Sequence, residues 1–216
     1  MTKSNILSAA ADHELALAVF ENLYDLFRAM ANSLGGELAE SGSLSKHISF
    51  PTNPMFKGVW GTKLSDEEAD QIIEETIQWF KTRDASFFFW WTGSETTPAD
   101  LPGRLKAHGL IDMAEQQQEL AAGIQQTELG APCMIADLGR MNESVMSKTP
   151  EGFTIKEVGS EAELYGFKKV FVETYQIPDW AGQAWVDATL KVGICKSPWH
   201  MFVGYLHGEP VATNML

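Results

Sequence analysis

The side chains able to do nucleophilic, acid–base or metal chemistry are few in this chain, and their spacing excludes most of it. Cys133 and Cys195 form no CxxC and have no nearby histidine cluster, so neither a zinc site nor a disulfide framework is indicated and reduced, packed thiols are expected. His200 and His207 flank one arm of a hairpin pattern, with no Ser, Cys or carboxylate at a spacing that would make a nucleophilic triad with either. His108 sits at the end of a helix pattern, where the dipole favours an imidazolium without any catalytic role. The pairs Glu67-Glu68 and Glu74-Glu75 fall on a helix as solvated charge. Trp90 and Trp91 offer flat faces and donors that would floor a ligand cleft, but Phe87, Phe88 and Phe89 beside them favour a core strand. No P-loop, glycine-rich nucleotide fingerprint or metal-ligand cluster is present, so catalytic residues and metal ligands stay unassigned.

The most informative stretch is WHMFVGYLHGEPVATNML, residues 199–216. Met201, Val203 and Tyr205 alternate with Phe202, Gly204 and Leu206, and Val211, Thr213 and Met215 alternate with Ala212, Asn214 and Leu216. A period of two means two strands, each with two distinct faces. His207, Gly208 and Glu209 supply the turn, Gly208 can take a positive φ, and Pro210 restarts an extended chain.

Residues 202–212, FVGYLHGEPVA, resemble the hairpin of the second and third strands in the GNAT N-acetyltransferase superfamily. The resemblance implies acetyl transfer from acetyl-CoA to an amine. It also implies that the next strand leads to a glycine-rich loop and a helix whose N–H groups hold the cofactor pyrophosphate. That loop is not among these 216 residues, so the polypeptide is expected to bind acetyl-CoA weakly at best and to be inactive alone. In the resembled domain the amine enters between the first two helices and the central strands. Tyr175, Ile177 and Trp180 are therefore assigned to an acceptor pocket, with Thr213 and Asn214 opposite. The competing reading is that Tyr175 and Trp180 pack the interhelical loop onto the sheet.

The elements that must position these residues follow from periodicity. Residues 153–158 alternate as a strand, and Ser160 with Glu163 forms a capping box before a helix carrying Leu164, Phe167, Phe171 and Tyr175. Pro178 ends it. A second helix with Trp185, Ala188, Thr189 and Val192 closes at Gly193. Strand, helix, helix, strand, strand is similar to the front half of a GNAT domain. Upstream, residues 12–34 repeat at helical spacing up to Gly35-Gly36, and the polar residues 37–45 lead to a short strand at 47–50 that pairs with 56–62. Ser65 and Glu68 cap a helix running through Lys81. The run SFFFWW, residues 86–91, reads as a strand buried on both faces at the centre of the first sheet. Thr97 and Pro98 start a short helix that Gly109 stops, with Leu101 and Leu105 inward; residues 134–138 give one more strand, and 139–152 is the boundary. This order resembles the degenerate amino-terminal part of bipartite GNAT proteins.

The expected class is thus α+β (α/β), with mixed, mostly antiparallel sheets flanked by helices. The resemblance implies that residues 1–148 form a degenerate GNAT-like part and 149–216 the front half of an acetyltransferase domain. With 44% hydrophobic residues and seven Trp the chain can bury a sizeable core. Its 29 acidic against 16 basic residues give a net charge of −13, which opposes nucleic acid and anionic membranes. No apolar run reaches the roughly 20 residues of a membrane span, and no secretory leader is apparent, so a cytoplasmic location is expected. Two functions stand side by side: the amino-terminal portion of an acetyltransferase acting on a small-molecule or peptide amine, or a non-catalytic interaction module built from GNAT-like halves. The strand from Val211 to Leu216 has no charge or interior Pro to guard its edge, so an amino-terminal strand or a second copy, in a homodimer, is expected to cover it.

Overall fold

The first helix, α1 (Asp12–Leu34), is set by a stripe at three- and four-residue spacing: Tyr24, Phe27, Met30, Ala31 and Leu34 are all buried. It stops at Gly35, whose φ of +66° suits the left-handed cap, and the Gly36 N–H donates to the Ala31 carbonyl at 2.8 Å. The computed structural model describes residues 12–49, 56–85, 87–113, 144 and 148–216.

Three antiparallel strands follow, β1 (Glu37–Glu40), β2 (Ser45–Ile48) and β3 (Lys57–Trp60), and β4 (Phe89–Trp90) joins β3 in parallel, giving the order β1-β2-β3-β4. Strand β1 lies inside the polar stretch read as a connection. Its sequence ELAE lacks an apolar face because it is an edge strand, held by the turn bond from Ser41 Oγ to the Leu44 carbonyl and by Arg83 donating to both Glu37 oxygens at 2.7 Å. The aromatic run corrects a second expectation. Only Phe89 and Trp90 pair, at the far edge of the sheet, while Phe87 is 48% exposed. The buried centre belongs instead to β3, all four of whose residues are buried.

Helix α2 (Ala69–Lys81) buries Ala69, Ile73, Thr76 and Phe80, and the reciprocal Ser65–Glu68 bonds close the turn before it. Helix α3 (Leu101–Ala107) begins three residues after Pro98, because Thr97 is drawn into a bridge with Lys63 and Asp100 takes the cap position. Leu101 and Leu105 face inward as the periodicity requires. The strand expected at 134–138 and most of the 139–152 boundary lie outside the described residues.

Beyond it come β5 (Phe153–Glu157), α4 (Glu161–Tyr175), α5 (Asp179–Val192), a 3-10 turn (Ile194–Lys196), β6 (Met201–Leu206) and β7 (Glu209–Met215). The second capping box is complete: Ser160 Oγ accepts from the Glu163 N–H, and Glu163 Oε2 accepts from the Gly159 N–H and the Ser160 hydroxyl. Helix α4 ends at Gln176 in the left-handed region rather than at Pro178, which caps α5. The sheet is antiparallel in the order β5-β6-β7. No amino-terminal strand joins it, so among the described residues the two sheets are separate and β7 is an edge.

This is an α+β fold of one mixed and one antiparallel sheet with helices packed on them. The two halves nevertheless share one apolar core. It runs from Tyr24, Phe27 and Leu34 of α1 through Phe56 and Trp60 to Leu164, Phe167, Val186, Trp199 and Val203. Phe56 meets Trp185 edge-on at 5.0 Å between ring centres, and Trp185 meets Trp199 at 5.9 Å. Phe56→Ala should therefore cost about 3–5 kcal/mol and lower the midpoint of a single denaturant transition seen alike by fluorescence and circular dichroism. Two separate transitions in the parent protein would mean that the halves do not share a core.

Candidate functional site

Hairpin geometry explains the motif that carries the resemblance. His207 (φ +51°) and Gly208 (φ +89°) form a two-residue turn with both φ positive, the conformation that matches strand twist. Glu209 is thus already in the strand. Gly204 is required by a neighbour: a Cβ there would lie 2.7 Å from Cζ of Phe153, whose ring crosses over it. Gly204 pairs with Ala212 and Tyr205 with Pro210, so Val211 is an extra, bulged residue and stands 48% exposed.

The expected acceptor residues are placed at both ends of the carboxy-terminal sheet. Tyr175 ends α4 and is 66% exposed, Trp180 opens α5 at 51%, and Ile177 is half-buried between them. The Phe171 ring lies 5.1 Å from that of Tyr175, on its core side. Thr213 and Asn214 lie opposite Val203 and Phe202, at the end of the hairpin away from its turn. Consecutive strand residues face opposite ways: Thr213 shares a face with buried Met201 and Val203 and is half-buried, whereas Asn214 is exposed on the other face. Gly166, early in α4, already lies over Tyr205 and Pro210 near the turn. The helix thus carries Tyr175 toward the turn end, away from Thr213.

A cleft of about 360 Å³ occupies that other end, where β5 leaves the sheet and β6 enters it. Its floor is Val158, Trp199 and Met201, all buried, and the indole is fixed by Trp199 Nε1 donating to Thr189 Oγ1 at 2.9 Å. Its rim carries Glu157, Cys195, Ser197 and His200. His200 Nδ1 lies 2.6 Å from Glu157 Oε1, a bond across neighbouring strands that no sequence spacing could announce. The signal that was available is indirect, since antiparallel pairing of Glu157 with Phe202 puts position 200 beside that carboxylate.

The remaining polar candidates have structural partners. His108 Nε2 contacts Asp70 Oδ1 at 3.0 Å, and Arg104 ties Asp66, Asp70 and Asp100 together, clamping α3 to α2. His108, then Arg104, holds the Asp70 carboxyl below its usual range. Trp90 Nε1 donates to Thr62 Oγ1 at 3.0 Å, which gives this indole a core role. Tyr24 donates to Glu95, and burial, then that carboxylate, push its hydroxyl above the usual range. Among the described residues no three His, Cys, Asp or Glu side chains converge as a metal ion requires, and no helix is long and apolar enough to cross a membrane. Comparison with known protein families, with curated proteins and with solved structures found no match.

Among the described histidines His47 is buried: it is 1% exposed, stacked 5.4 Å from Phe27, with Nδ1 2.5 Å from Ser49 Oγ. Burial lowers its pKa from 6.5 to about 4. The unfolded chain therefore binds the extra proton first, so stability is full above the unfolded value of 6.5 and is lost as pH falls toward about 4. The loss should approach about 3 kcal/mol in urea titrations across that window, and His47→Gln should flatten the His47 contribution to the profile. An unchanged slope in that variant would contradict a neutral buried imidazole.

Proposed function

We propose that this polypeptide is the acceptor-side portion of a GNAT-type N-acetyltransferase, which moves an acetyl group from acetyl-CoA to a small-molecule or peptide amine. The observation that carries the reading is the order β5-α4-α5-β6-β7 built on an antiparallel β5-β6-β7 sheet, together with the Gly204 and two-residue turn that give the hairpin motif its form. The exposed Tyr175 and Trp180 at the helix junction supply the aromatic wall for the acceptor. The outer sheet face is also open: Ile155 is 65% exposed, and Ala212 and Asn214 are exposed beside it. A further strand and a cofactor-binding loop would continue from this edge and face. The protein works in the cytoplasm on an acceptor that its −13 net charge would draw in if cationic, and it binds neither nucleic acid nor membrane.

A second reading rests on the bare β7 edge, through which the chain would act as a non-catalytic module or homodimer. Calorimetry and an acetylation assay separate the two. The 216-residue polypeptide should show no tight acetyl-CoA binding and no turnover. A longer polypeptide carrying the next strand and a glycine-rich loop should acquire both, and Trp180→Ala in it should raise KM for the amine more than it lowers kcat. Failure of such a polypeptide to bind acetyl-CoA would overturn the acetyltransferase reading.

A further inference from the structure

The cleft at the β5–β6 end joins three features that neither reading above uses. Its 360 Å³ volume is within the range of small-ligand sites. It holds a free, exposed thiol, Cys195, on a 3-10 turn. It also holds a histidine already oriented by a carboxylate. With Glu157 Oε1 2.6 Å from Nδ1, the ring proton is held on Nδ1, which leaves the Nε2 lone pair as a base. A base so oriented, on the lining of the same cleft as a thiol, is the kind of group that activates thiols for acyl transfer.

The geometry points to an acyl-accepting site in this cleft, in which Cys195 is the nucleophile, His200 its base and Glu157 the positioning residue, taking small acyl thioesters. His200 Nε2 accepts the Cys195 proton, directly or through one water. The thiolate then forms a bond to the acyl carbon while the bond from that carbon to the leaving sulfur breaks. His200 returns the proton to the leaving thiolate. The products are S-acyl-Cys195 and a free thiol, with no net redox change. The buried Val158, Trp199 and Met201 suit a short apolar acyl group. Ser197 Oγ accepts from the Trp199 N–H at 3.3 Å and so keeps its own proton to donate to the developing oxyanion. The titratable groups on the cleft are Glu157 from β5, His200 at the start of β6 and Cys195, with Lys196 beside Cys195 in the same turn. The inference does not depend on the acetyltransferase reading, because the probe has no nucleotide.

The test is intact-mass and peptide-mass analysis after incubation with S-acetyl-N-acetylcysteamine, in the parent protein and in Cys195→Ser, His200→Gln and Glu157→Gln. All three side chains are at the surface, and matching thermal midpoints would show the fold intact. One acetyl increment on Cys195 is expected, absent in Cys195→Ser, and forming about 100-fold more slowly at neutral pH in His200→Gln. Glu157→Gln should slow it less and shift the pH dependence of the rate. Equal rates in the parent and His200→Gln would overturn the inference, as would an adduct on Lys196 in place of Cys195 or no adduct at all.

Discussion

The fold depends most on the burial of α5 between the two halves of the chain. Its face toward the first half meets Phe56 through Trp185, and its base meets the second sheet through Trp199, so one aromatic seam closes both sheets. Lys191, in the last turn of the same helix, donates to the Leu34 carbonyl at 2.6 Å and satisfies one of the acceptors left at the end of α1. A helix with contacts on both sides cannot pack without small residues. Gly182 shows the closeness: a Cβ there would lie 2.4 Å from Cγ2 of Val172 on α4. Ala181, Ala184 and Ala188 are likewise buried.

This packing separates a fixed inner surface from an open outer one. The inner face of the β5-β6-β7 sheet, with Met201, Val203 and Thr213, is closed by α4 and α5. The outer face, with Ile155, Ala212 and Asn214, and the free edge of β7 are not closed by any described residue. Glu209, Pro210 and the bulge at Val211 lie at the turn end of this edge, and from there to Leu216 it carries no charge to discourage pairing. The sheet therefore has one face covered by helices and one face and edge left open among the described residues.

The helices α1, α2, α4 and α5 were legible in the sequence because each combines a complete apolar stripe with a local stop or cap, such as Gly35, Ser65–Glu68, Ser160–Glu163 and Gly193. The hairpin was legible for the same reason, since its alternation and its glycine are local. What was not legible depends on partners distant in sequence. The residues Glu37–Glu40 form a strand only because β2 pairs with them, and the aromatic run was read as central because apolar content reports burial tendency but not position in a sheet. Likewise, the Glu157–His200 contact arises from strand register, and the five-residue interval between Cys195 and His200 carried no signal by itself. Thr213 and Asn214 are adjacent in sequence, yet the strand turns them to opposite faces.

Among the described residues β7 is an unpaired edge of its sheet. His200 and Leu216 exchange both backbone hydrogen bonds, so by alternation the Ala212 and Asn214 amides point toward β6, and those of Thr213 and Met215 point outward. Residue-resolved hydrogen exchange on the 216-residue polypeptide tests this directly. Slow exchange at Ala212 and Asn214 with fast exchange at Thr213 and Met215 is the predicted result; equal protection at all four would show the edge already paired and contradict the account.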